Sequence, residues 1–148
     1  MRIIAGQFRG LSLTAVGKGD VAAHLRPTSD RVRESLFNVL NGYDALNEAH
    51  VLDLFAGTGA LGLEALSRGA SRVTFVDNGG KAAQLIRLNI AVTRTELQTR
   101  LVRCDARKLP ANAGQQCDVV FLDPPYGKGL GQVALNTAQA QSWIAPQA

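Results

Sequence analysis

The sequence predicts an α/β fold, a mostly parallel sheet flanked by helices. Three observations predict it. Short apolar runs at 51–55, 72–76, 101–102 and 119–122 alternate with stretches of helical period, the pattern of strand–crossover–strand units. A glycine-rich turn, Ala56-Gly57-Thr58-Gly59-Ala60-Leu61-Gly62, joins the first run to a helix. The later runs end in acids, Asp77, Asp105 and Asp123, at the carboxyl ends where open α/β sheets place their chemistry.

The 148 residues are one domain's worth of chain, and an apolar share of 46% is enough for a real core. No apolar run approaches the roughly 18 residues needed to cross a bilayer, so no membrane association is expected. The N-terminus lacks the longer apolar stretch of a signal peptide. Cys104 and Cys117 are too few for a disulfide framework and show no metal-ligand spacing. They read as small buried hydrophobes in a protein of the reducing cytoplasm. Net charge is +4, and residues 1–40 hold six basic against three acidic side chains. That excess fits a phosphate-rich partner, or equally a solvated basic face.

Along the chain, Ile3-Ile4 and Leu11-Ser12-Leu13 flank a glycine-bracketed turn at 6–10. The expectation is a small hairpin within an N-terminal extension, residues 1–25, with Arg2, Arg9 and Lys18 on one exposed flap. The main domain then runs from 26 to 148. Pro27 biases Arg26 away from helix, and Thr28, Ser29 and Asp30 are all good N-caps. Val32, Leu36, Val39 and Leu40 fall on one helical stripe, read as core-facing, and Gly42 can end the helix. Arg26, Thr28, Arg31 and Arg33 crowd its start, where an anionic group would be met.

The 51–55 strand, the glycine turn, a helix stopped by Gly69, and the 72–76 strand ending at Asp77 make a βαβ nucleotide-binding unit. Its glycines let the chain turn sharply and let a ligand approach the backbone. Asp77 can accept from two ribose hydroxyls. Gly57, Gly59 and Gly62 also match the dinucleotide fingerprint, with Asp77 twenty residues after Gly57, so NAD is a serious competitor. Asp53 argues against it: a carboxylate just before the loop would repel a pyrophosphate. The same carboxylate favours a ligand bearing an ammonium and a sulfonium, as S-adenosylmethionine does, unless it is purely structural. Residues 81–92 form the next helix. Asp105 either accepts from an adenine amine or caps the turn at 106–109. A last helix at 129–141 has Val133 and Leu135 as its large apolar contacts, with Trp143-Ile144 beneath it.

The 119–122 run reads as a strand buried on both faces. It stops in Asp123-Pro124-Pro125-Tyr126, where the prolines lack N–H groups and fix φ. Asp123 and the carbonyls around Pro124 offer only acceptors, and Tyr126 offers a flat ring. The bland reading is a proline turn that ends a strand. The chemical one is a site for a planar base with an exocyclic NH2.

Together these residues resemble the class I S-adenosylmethionine-dependent methyltransferases. The glycine loop is shared by many of them, and Asp-Pro-Pro-Tyr by many that modify exocyclic amines. The opening Arg-Ile-Ile-Ala-Gly-Gln-Phe-Arg-Gly, the 26–40 segment and the run from Asp53 to Leu66 make the resemblance narrower. They are similar to the RsmD family of bacterial 16S ribosomal RNA guanine-N2 methyltransferases. That resemblance implies a Rossmann-like sheet flanked by helices, with Asp53, Gly57, Gly59, Asp77 and Asp105 on the cofactor. Arg26 and Thr28 would lie near its methionine end, and Asp123, Pro124, Pro125 and Tyr126 would hold the guanine. The implied partner is small-subunit RNA in an assembled or assembling 30S particle, met in the cytoplasm. A non-catalytic RNA-binding module, an NAD-dependent oxidoreductase and an adenine-N6 methyltransferase are the rival readings. The family's sheet has seven strands, whereas four are read here, with a fifth expected past Pro146. The expectation is therefore a C-terminally incomplete domain, weakly stable and prone to self-associate alone, and a monomer when full length.

Overall fold

Four short strands rich in Val, Leu and Phe line up in parallel because each is followed by a helix or turn that returns the chain across the sheet. The computed structural model describes residues 1–15, 28–124 and 129–148. Helix α1 (Asp30–Gly42) precedes β1 (His50–Leu54), α2 (Ala60–Ser67), β2 (Arg72–Val76) and α3 (Gly80–Thr93). Then come β3 (Thr99–Val102), a 3₁₀ turn (Ala106–Lys108), β4 (Val119–Leu122) and α4 (Leu130–Ala140). The sheet order is β3-β2-β1-β4, all parallel. This is the Rossmann-like arrangement, in which the chain turns one way from β1 and later returns to its other side.

Side-chain alternation along the strands feeds two cores, one on each face. Val51, Val73, Phe75 and Phe121 pack with Leu63, Leu66, Ile86 and Phe37 on the α1–α3 side. Leu52, Leu54 and Val76 pack with Leu109, Ala134, Ala138 and Trp143 on the α4 side. No helix among the described residues is long and apolar enough to cross a membrane. Cys117 lies in the second core, where burial pushes its thiol up to about 12, as a small buried hydrophobe should behave.

Several expectations need correction, beginning with the third strand, which runs over Thr99–Val102 rather than 101–102 alone. The first strand begins at His50 and stops at Leu54; Phe55 takes a left-handed φ of 57° and belongs to the turn. The strand at 119–122 has the expected bounds, but only Phe121 is buried, because β4 lies at the sheet edge among the described residues. A fifth pairing starts before Pro146: Ile144 bridges Cys117 in parallel, with the Cys117 N–H donating to the Trp143 carbonyl at 2.8 Å. In α4 the core contacts are Ala134 and Ala138, while Val133 is exposed. In α1 most of the expected stripe faces out, with Val32 and Val39 more than half exposed and Leu36 also exposed; Leu40 alone of the four packs against the core. Phe37 and Arg33 are buried instead.

Arg33 is buried because Glu64 of α2 meets it. The Glu64 carboxylate, itself fully buried, accepts from the Arg33 guanidinium at 3.2 Å and from Arg68 Nε at 2.9 Å. It also accepts from the backbone N–H groups of Ile4 and Ala5, at 2.9 and 3.2 Å. Asp30 takes a further Arg33 nitrogen, and the Arg68 guanidinium lies 5.1 Å above the Phe37 ring. Arg33 is therefore not among the groups that can reach a bound phosphate.

The N-terminal hairpin exists as one antiparallel bridge, Arg2 to Ser12, flanked by bonds from Ile3 N–H to the Leu11 carbonyl and from Leu13 N–H to the Met1 carbonyl. It is pressed onto α2 rather than raised as a flap. Ile3 is fully buried in the first core, and Phe8 N–H donates to Ser67 Oγ. Arg2 and Arg9 stay exposed, while Lys18 lies outside the described residues.

Candidate active site

Parallel register brings four chain turns to one edge of the sheet. Leu54 is level with Val76 and Leu122, and Val76 with Val102. The glycine loop, Asp77, the 103–105 segment and Asp123 therefore emerge side by side. The reversal of strand order falls between β1 and β4, so a crevice opens there, with the loop on one side and Asp123 on the other.

Three polar side chains pin the glycine loop. Asp53 points to the α2 face, as alternation with Val51 requires, and its Oδ2 accepts from Gly62 N–H at 3.1 Å. Asp77 Oδ2 accepts from Gly57 N–H at 3.0 Å and its Oδ1 from Gly79 N–H at 2.9 Å. Asn89 of α3, fully buried, donates to the Thr58 carbonyl at 2.8 Å. Gly57 and Gly59 have φ of 59° and 82°, a region that a side chain would disfavour. A Cβ on Gly62 would sit 2.5 Å from the Phe75 ring, so α2 can lie against β2 only with glycine there.

Asp53 is the electrostatically odd member. It is 1% exposed, and its Oδ1 has no hydrogen-bond partner. Burial pushes its carboxyl well above the usual range; the Gly62 N–H pulls the other way, and Asp123 and Asp77 push it further up. Three carboxylates thus converge on one crevice, an arrangement that a bound cation would relieve.

At the far side, the Thr28 hydroxyl donates to Asp123 Oδ2 at 2.8 Å. Thr28 precedes α1, whose N-cap Ser29 accepts from Val32 N–H. The helix is held against β4 by Phe37 and Phe121, with ring centroids 5.5 Å apart. Pro124 packs against α4, where a Cβ on Gly131 would come within 3.2 Å of its ring. Asp105 turns back on its own 3₁₀ turn: it accepts from Arg107 N–H at 2.9 Å and from the Arg107 guanidinium at 2.6 Å. Those bonds hold its carboxyl down at about 2. Asp53, Gly57, Gly59, Asp77, Thr28, Asp123 and Pro124 are thus gathered around one edge, with Asp105 at its β3 end. Arg26, Pro125 and Tyr126 lie outside the described residues.

Three participants escaped the sequence reading. Asn89 carried a signal, a lone amide among the apolar positions of its helix. Gly131 and the Arg33–Glu64 pair carried none that is local.

The family described as Conserved hypothetical protein 95 matches residues 1–148. Ribosomal RNA small subunit methyltransferase D of Escherichia coli K12 is 39% identical over 148 residues, which is 100% of this chain and 71% of that protein. This chain belongs to the RsmD family of methyltransferases. The Haemophilus influenzae protein of the same name is 38% identical over 152 residues, covering 100% of this chain and 75% of the relative. Among solved structures, Escherichia coli yhhF superposes with a TM-score of 0.81 at 41% identity, over 98% of this chain and 75% of the other. A methyltransferase from Thiobacillus denitrificans, solved with S-adenosyl-L-homocysteine, shares the fold alone at 21% identity. Its TM-score is 0.61, and the match covers 83% of this chain and 47% of that one. An RsmD-family methyltransferase is thus built on the α/β frame read from the sequence.

Proposed function

We propose that the protein transfers a methyl group from S-adenosylmethionine to the exocyclic N2 amine of a guanine in 16S ribosomal RNA. The observation that carries this reading is the pairing across one crevice of a pinned glycine loop with Asp77 and an acceptor turn at Asp123. The names of the relatives support the RNA substrate. The target would be met in the cytoplasm, within an assembling or assembled 30S particle.

The residues suit the cofactor. Asp77 keeps free lone pairs on both oxygens, since each takes one N–H and a carboxylate offers about four acceptor sites. Those pairs can receive two ribose hydroxyls, and the existing bonds fix their direction. Burial disfavours the ionised form of Asp53, and a cationic ligand in the crevice would restore it, whereas a pyrophosphate would disfavour it further and so argues against NAD. When bound, S-adenosylmethionine supplies the methyl group on a sulfonium, an activated leaving group.

The chain's own residues do the rest. Tyr126 offers a stacking face for a base swung out of its RNA context. Asp123 and the Pro124 carbonyl accept from the two N–H bonds of the amine. Guanine N2 is a poor nucleophile, because its lone pair is delocalised into the ring. Fixed acceptors favour its pyramidal form and the positive charge that develops as the N–C bond forms. Asp123 can then take the proton that the amine gives up.

Mass spectrometry of small-subunit RNA from cells with and without the gene tests the reading. One guanine should lose its N2-methyl group in the deletion. Identical RNA, or a lost methyl on adenine, would overturn it. The cofactor role has its own check. Asp77→Ala removes a charged acceptor from two hydroxyls, an interaction worth about 1.5–3 kcal/mol. Calorimetry with S-adenosylhomocysteine should show affinity falling about 10- to 100-fold. Unchanged binding would remove Asp77 from the site.

A further inference from the structure

The positive charge of this protein is not where its N-terminal arginines suggest. Residues 72–108 hold eight basic and three acidic side chains, a net +5 against +4 for the whole chain, so the remainder sums to a slight negative charge. The eight are Arg72, Lys81, Arg87, Arg94, Arg100, Arg103, Arg107 and Lys108, and all are exposed. Two of the three acids face inward or are clasped, Asp77 by the Gly57 and Gly79 amides and Asp105 by Arg107. Glu96 is the acid left exposed in this stretch.

The fold places five of these groups along one flank. Strand β3 forms the sheet edge opposite β4, and α3 packs beside it. Arg100 stands on the strand and Arg87 on the helix. Arg103 follows β3, its guanidinium 3.8 Å from where a Gly80 Cβ would lie, so it borders the turn that holds Asp77. Arg107 and Lys108 continue the line along the 3₁₀ turn.

We propose that this β3–α3 flank is where the RNA's phosphate backbone docks. The inference rests on the RNA-methylating reading above. A polyanion is the partner of complementary charge, and phosphate contacts position an RNA without reading its sequence. Three strand spacings, about 14 Å, separate β3 from β4. Phosphates can therefore be held on the flank while a nearby nucleotide reaches Asp123. One or two charges would be enough to keep an edge strand from pairing with another chain; Arg87, Arg100, Arg103, Arg107 and Lys108, spread over a helix, a strand and a turn, exceed that need. The competing surface is weaker. Of the N-terminal arginines, Arg2, Arg9 and Arg31 are exposed and Arg33 is buried against Glu64.

The test measures binding of small-subunit RNA, transcribed in vitro, between about 50 and 200 mM salt. The parent should bind more weakly as salt rises. R87E/R100E/R103E should flatten the slope of log affinity against log salt by about 2–3, the share expected of three phosphate contacts. Its low-salt affinity should fall by at least tenfold. R87Q/R100Q/R103Q adds no repulsion and should lose the same slope. A thermal unfolding midpoint within about 2 °C of the parent in both reports an intact fold. R2E/R9E should bind RNA within about twofold of the parent. If R2E/R9E flattens the slope while both flank variants keep it, the docking surface is the hairpin and the proposal is overturned. A parent that binds RNA without salt dependence, or not at all, instead counts against the RNA-methylating reading itself.

Discussion

Asp123→Ala should abolish methyl transfer while leaving S-adenosylhomocysteine affinity intact. Asp123 stands on the β4 side of the crevice, with β1 between it and Asp77. Its Oδ2 accepts from the Thr28 hydroxyl, which orients the carboxylate, and in the proposed reaction Oδ1 receives the substrate amine. Loss of one fixed group that stabilises developing charge costs roughly 10²–10³ in kcat. Here the missing acceptor also positions the nucleophile, so the loss should reach or exceed that range. Single-turnover methylation alongside calorimetry separates the two roles. A variant that methylates at near the parent rate would show that the acceptor turn is only a strand terminator.

The second large effect is on stability. Glu64→Ala would strip four donors of their shared acceptor: the Arg33 and Arg68 guanidiniums and the Ile4 and Ala5 amides. Arg33, fully buried and already lacking a partner at Nε, would keep only Asp30 as a counter-charge. Breaking a buried pair from one side costs about 3–5 kcal/mol, out of about 5–15 kcal/mol for a typical domain. For a chain of this size the melting midpoint should fall by roughly 6–20 °C. Glu64→Gln keeps the shape and part of the hydrogen bonding, so it should fall between the parent and the alanine variant. A midpoint shift below about 2 °C for Glu64→Ala would mean the network is solvated or replaceable.

The frame of this site was legible because it is written locally. Apolar runs bounded by acids and glycines fixed Arg72–Val76 and Val119–Leu122 without error. The glycine spacing located the loop, and the steric reason for Gly62 appears only as a contact with Phe75. Helix α1 shows where local pattern fails. Its apolar stripe looked like a core face, yet Val32 and Val39 are exposed and a charged residue is buried. Nothing within α1 could announce that, because burying Arg33 depends on a carboxylate 31 residues away. Thr28 was expected at the methionine end of the cofactor; its bond to Asp123 spans 95 residues and is equally invisible to any window of sequence. Asp53 was read as a charge facing the ligand, and its bond to Gly62 emerged only with the strand's alternation.

The way the N-terminal segment is held has a consequence for the order of assembly. Ile4, Ala5, Phe8 and Thr14 all bond to side chains 59 to 75 residues later in the chain, on α2 and α3. Contacts of such long range close large loops and form late. During synthesis, at about 5–20 residues per second, residue 14 leaves the ribosome several seconds before its partner Asn89 exists. Residues 4–14 can therefore be seated only after α2 and α3 have been made. Asn89, which receives Thr14, also holds the Thr58 carbonyl, and Glu64 lies in the helix that follows the glycine loop, so that loop gains its full support only when residues 4–14 are in place.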